Sequence, residues 1–208
     1  MIELTVFLAG AIVMSFEILG SRILTPDFGS TVYVWGSIIS VFLGGLTIGY
    51  WFGGHLADRK ANLLIFSQLF IIPGVILCIF PYYASSVCNW IFDLNWDPRY
   101  GSLLAATILF LIPILFLGAV SPYAIKLRIT NLEWLGTGVG NLYAISSLGS
   151  ITGTLLTTFY LITWMGVRNI ILIEGVILIV TGLLLSLAHF MPRTSCREGS
   201  QETSTVES

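Results

Sequence analysis

Six stretches of this chain, at 4–24, 33–52, 63–83, 102–124, 139–164 and 169–190, are apolar almost throughout. A helix crosses the hydrocarbon core of a bilayer in about 20 such residues. Hydrocarbon offers backbone N–H and C=O groups no partner, and a helix satisfies them within the segment itself. The expected fold is therefore an all-α integral membrane bundle of six transmembrane helices. Composition agrees, since only 10% of the 208 residues are charged and 56% are hydrophobic. A soluble domain carries about 25% charged residues. The lipid bilayer is thus the first partner implied, and the location is the cell (inner or plasma) membrane.

Residues 1–192 form the six-helix transmembrane domain on this reading. From Arg193 the chain is polar and rich in Ser and Thr. It lacks the apolar side chains that would offset the entropy of ordering, so 193–208 is expected to be a disordered cytoplasmic tail. The first apolar run has no Lys or Arg before it and is interrupted by Glu17. A cleavable signal has a basic start and an unbroken apolar core, so this run is read as a retained helix. The segment 84–101 mixes Trp90 and Trp96 with Asp93, Asp97 and Pro98. That mixture predicts an interfacial loop on the outer membrane surface, with a small binding lid as the sharper alternative.

Nucleic acid is excluded as a partner, because nine Lys and Arg against eleven Asp and Glu leave a net charge of −2 and no basic stripe. Cys78, Cys88 and Cys196 show no CxxC or CxxH spacing, Cys88 lying in the polar outer loop. They imply neither a disulfide framework nor a zinc site. His55 and His189 fall at helix ends and are read as interfacial. No metal or cofactor is expected, and no nucleophile–base pair stands out.

Gly45, Gly49 and Gly53 recur every four residues and share one face of the second helix. Gly149 and Gly153 make a similar step in the fifth. Small residues at this spacing let a neighbouring backbone approach closely. Tight packing within the bundle, a dimer seam and a sliding face all remain open. Pro73 and Pro113 lie inside the third and fourth helices, where each removes a backbone hydrogen bond.

Carboxylates at membrane depth are the leading site candidates. A charged side chain at the bilayer centre costs roughly 2.5–3.5 kcal/mol on insertion scales, so such groups face the protein interior and find partners. Glu17 precedes the outer end of its helix by about 10 Å, and Glu174 follows that of the sixth by about 9 Å. The two acids thus share one depth in the outer half. Arg22, Asp27, Tyr33 and Trp35 lie above or beside them. Such a site suits an organic cation, because carboxylates and aromatic faces both attract ammonium groups. The plainer alternative pairs Glu17 with Arg22 and Glu174 with a hydroxyl or backbone group.

Three stretches taken together carry a resemblance: "FEILGSRILTPDFGSTVYVWGSIISVFLGGLTIGYWFGGHLADRK", "FLGAVSPYAIKL" and "NLYAISSLGSITGTLLTTFYLITWMGVR". They resemble the membrane domain of the fused transporter-like (major facilitator)/spermidine synthase family, over nearly the whole chain up to about Pro192. Members of that family join such a region to a cytosolic aminopropyltransferase domain. Here the chain ends 18 residues after Phe190 with no strand–glycine loop–helix unit. The resemblance therefore implies a non-enzyme, the catalytic domain being absent. Gly54, Asp58 and Arg59 resemble the cytoplasmic motif of major facilitators, which implies a gating or anchoring role. Ala61 and Asn62 depart from that motif. Major facilitators have twelve helices in two halves, so a homodimer is implied.

Two functions follow from the resemblance. One is a transporter-like protein that binds or moves an organic cation such as a polyamine. The other is a non-catalytic membrane anchor for a separately encoded, soluble aminopropyltransferase. Orientation follows from basic residues. With the N-terminus inside, Arg59, Lys60, Lys126, Arg128, Arg193 and Arg197 face the cytoplasm, against Arg22, Arg99 and Arg168 outside. The positive-inside rule favours that arrangement, with both termini cytoplasmic. Cysteines introduced at Thr31 and Asn95 are expected to label from outside intact cells. One at Asn62 is expected to stay unlabelled, and its labelling would reverse the topology.

Overall fold

A computed structural model of the chain describes residues 2–59, 61–94, 96–128 and 135–190. The tail from Arg193, together with Lys60 and Asn95, lies outside the described residues. Six long helices follow in order: α1 (Ile2–Phe28), α2 (Val32–Arg59), α3 (Leu63–Asp93), α4 (Pro98–Arg128), α5 and α6. Helix α5 begins as Leu135–Leu156, passes through a π-helical turn at Thr157–Leu161 and ends in the turn Ile162–Trp164. Helix α6 is Val167–Phe190. All six are long and apolar enough to cross a membrane, and no strand occurs among the described residues. The chain is a multi-pass membrane protein.

Helices α3 and α4 each run for 31 residues, which is about 46 Å at 1.5 Å per residue. That exceeds a hydrocarbon core of about 30 Å. The excess corrects the expected interfacial loop at 84–101. Most of that segment is helix, and Cys88 sits buried within α3 instead of in a loop. Ala84, Cys88 and Ile91 continue the buried stripe at helical spacing, with Ile91 and Phe28 packed close to Gly101 of α4. Asp97 then starts α4. Its carboxylate accepts from the Arg99 N–H at 2.9 Å, with Pro98 in the first helical position, where a missing N–H costs nothing.

Helix α1 is central and touches all five others. Its Phe16 meets Phe42 of α2, Phe80 of α3 and Phe110 of α4 at centroid distances of 5.9, 5.3 and 5.1 Å. The contacts to Phe80 and Phe110 are edge-to-face, the arrangement that ring quadrupoles favour. All four rings are fully buried.

Around this core the helices pair by close backbone approach, α2 on α4, α3 on α6 and α1 on α5. Gly49 and Gly53 seat the Leu115–Ala119 stretch of α4, and a Cβ at Gly53 would lie 2.6 Å from the Ala119 Cα. Gly149 and Gly153 seat the carbonyls of Phe7 and Ala11 on α1, while Gly10 seats that of Ser146. Gly45 packs on Ile114. The faces at Gly45, Gly49 and Gly53 of α2 and at Gly149 and Gly153 of α5 are thus filled by neighbouring helices of the same chain. A third seam escaped the sequence reading. Gly74 of α3 packs against Gly175 of α6, and Gly182 approaches the Ser67 carbonyl. Pro73 and Pro113 lie buried inside continuous helices.

Helix α5 is the least covered. Only 17% of its most apolar stretch is buried, against 39–56% in the other five helices. Its outer face presents Tyr143, Leu148, Ile151, Leu155 and Phe159.

The seams make a graded prediction. Gly49→Ala and Gly153→Ala drive a methyl into backbone and are expected to cost about 1–3 kcal/mol, the range for overpacking. Gly44→Ala meets nothing within 4 Å and is expected to be neutral or to stabilise by up to about 1 kcal/mol through helix propensity. Thermal unfolding of the three purified variants distinguishes them, and equal effects would contradict the seams.

Candidate functional site

The site is built where α1, α5 and α6 face one another. Ser15 occupies the α1 position just before the core ring of Phe16, one hundred degrees away around the helix. That rotation turns it from α2–α4 toward α6, where its hydroxyl donates to Oε1 of Glu174. The Ser15 and Thr157 hydroxyl oxygens lie 2.6 Å apart. Thr157 opens the π-helical turn of α5, whose backbone is closed by the Ile162 N–H reaching the Thr157 carbonyl five residues back. Single π turns occur often at functional sites, because they break the regular aim of a helix.

Glu174 is 5% exposed, and its second oxygen, Oε2, is buried without a hydrogen-bond partner among the described residues. An orphaned buried polar atom costs about 1–3 kcal/mol. Beside it lies a cavity of about 200 Å³, lined by Ser15, Thr152, Thr157 and Glu174 and otherwise mainly by apolar side chains such as Ile12 and Ile170. Gly153, seated on α1, lines it too. Helices α5 and α6 scarcely touch each other, so the cavity lies in the gap they leave.

The acidic pair expected from depth alone is not one site. Glu17 is two residues past Ser15, about 200° around α1, and it does not line the cavity. It is half-buried. The expected Glu17–Arg22 pair does not form either. Five residues put the two side chains on different faces, whereas helix neighbours sit three or four apart. Arg22 is exposed, and neither residue has a hydrogen-bond or ion-pair partner among the described residues. Asp27, Tyr33 and Trp35 also lie outside the cavity. The Tyr33 ring is covered by the Arg99 guanidinium at 4.7 Å, which withdraws it as a face for another cation. Glu174 does take a hydroxyl partner, as the plainer alternative had it.

At the far end, Asp58 accepts from Lys126 of α4 at 2.9 Å, and Arg128 of α4 pairs with Glu3 of α1. Tyr123 accepts from the Asn62 N–H at 2.9 Å and donates to its carbonyl at 3.0 Å, clamping the α2–α3 turn to α4. Asp58 therefore anchors α2. Arg59 is exposed, and Gly54 has no heavy atom within 4 Å of where a Cβ would sit. No group of three His, Cys, Asp or Glu residues able to hold a metal occurs among the described residues.

These features define a multi-pass membrane protein with a buried, half-satisfied carboxyl group beside a cavity between its helices. No protein-family model, no curated protein and no solved structure matches the chain.

Sequence reasoning missed Ser15 and Thr157. Hydroxyls are common in membrane helices, and only the pairing of α1 with α5 and α6 brings these two to Glu174. Ser15→Ala removes the donor to Glu174 and is expected to lower stability by about 1–3 kcal/mol. Arg22→Ala, a surface change away from any partner, is expected to stay within about 0.5 kcal/mol. Chemical unfolding in mild detergent measures both. A larger loss for Arg22→Ala would restore the Glu17–Arg22 pair.

Proposed function

We propose that this protein is a transporter-like protein of the cell membrane that binds an organic cation at Glu174, the class of ligand to which polyamines belong. One observation carries the proposal: a carboxyl oxygen, buried and unpartnered, beside a cavity large enough for a ligand. Intramembrane ionisable residues are costly and mark binding sites or relays when no structural partner accounts for them. Ser15 accounts for only one oxygen. An ammonium group supplies both the charge and the N–H donors that Oε2 lacks. The resemblance to the transporter-like part of the fused family points the same way.

A membrane anchor for a soluble aminopropyltransferase, the other function the resemblance implies, would show no cation binding that depends on Glu174. The test is equilibrium binding of a panel of amines, spermidine included, to purified protein in nanodiscs. Glu174→Gln is expected to weaken the amines that bind by at least tenfold. Glu17→Gln, outside the cavity, is expected to change them by less than twofold. Unchanged binding in Glu174→Gln, with the fold intact by thermal unfolding, would refute the proposal.

A further inference from the structure

We infer that the Glu174 cavity is filled sideways from the bilayer, through the gap between α5 and α6, by a primary amine of single charge on a compact apolar body. The inference rests on Glu174 being a cation site and adds the ligand's class and route.

Charge comes first. Among the described residues, Glu174 is the only ionisable side chain that lines the cavity, and the other polar side chains there are the hydroxyls of Ser15, Thr152 and Thr157. One ammonium group is therefore matched. A second or third positive charge would rest against Ile12, Leu161 or Ile170, and an unpaired buried charge is strongly unfavourable. The orphaned atom is a hydrogen-bond acceptor, so it calls for an N–H donor and disfavours a quaternary nitrogen.

Size comes next. A dry apolar cavity of about 150 Å³ takes a benzene ring. A cavity of about 200 Å³ accommodates an aromatic ring or short alkyl body with an amine attached.

The route follows from exposure. Leu156 of α5 and Ile173 and Ile177 of α6 line the cavity and are also exposed at the bundle surface, where lipid packs. Helices α5 and α6 leave a gap on that side, while Phe7, Leu8, Ala11, Ile12 and Ser15 of α1 line the cavity. An amphipathic amine already concentrated in the bilayer meets this opening directly. A fully hydrated polyamine does not partition there.

The probes are phenethylamine, spermidine and the uncharged 2-phenylethanol, with full-length protein in nanodiscs. Phenethylamine is expected to bind at least tenfold more tightly than spermidine or 2-phenylethanol, and Glu174→Gln is expected to remove that advantage. Ile173→Trp and Ile177→Trp, at lipid-facing positions, place a bulky ring over the opening. Either is expected to slow phenethylamine association at least fivefold with the unfolding temperature unchanged. Tighter, Glu174-dependent binding of spermidine would overturn the inference and leave the cation site standing. Unaltered association in both tryptophan variants would overturn the lateral route. Amine binding indifferent to Glu174→Gln would overturn the inference and the proposed function together.

Discussion

Lipid offers no hydrogen bond to a polar group, and this structure is organised around that fact. Many hydroxyls in the helices turn back onto their own backbone. Thr47, Thr107, Thr152, Thr154 and Thr181 each donate to the carbonyl four residues earlier. Ser15 and Thr157 do otherwise and turn across to α6 and to each other. They mark the place where the bundle accommodates a carboxyl group, and the accommodation covers one oxygen of two.

Three consecutive residues of α1 explain why this helix lies at the centre. Ser15 faces α6 and the cavity, Phe16 enters the aromatic core with α2, α3 and α4, and Glu17 turns away from both. Phe16 fixes the rotation of α1 about its axis, and that rotation delivers Ser15 to Glu174. On the α5 side, the glycine steps at Gly149 and Gly153 bring the backbone against Phe7 and Ala11. Thr157 follows four residues later, one turn along the same helix. Packing devices and site chemistry are thus neighbours on the same elements.

The six helices were legible because each apolar run is long enough to span, whatever its neighbours do. The outer ends of α3 and α4 were not, because Trp90, Asp93 and Asp97 mask the buried Ala84–Cys88–Ile91 stripe. Glycine spacing announced close packing on α2 and α5 but could not name α4 and α1 as the partners. The Gly74–Gly175 contact joins residues about a hundred positions apart, with no four-residue repeat to flag it. Depth identified Glu17 and Glu174 equally well. Only azimuth, which depends on helix pairing, separates the acid in the cavity from the acid outside it.

The central claim is that Glu174 Oε2 is a ligand atom. Its most direct measurement is a crystal of the protein grown with 4-bromophenethylamine and recorded at the bromine absorption edge. The account predicts an anomalous peak in the cavity between α5 and α6, with the amine nitrogen within hydrogen-bond distance of Oε2, and no such peak in Glu174→Gln. A peak elsewhere, or one that survives Glu174→Gln, would contradict it.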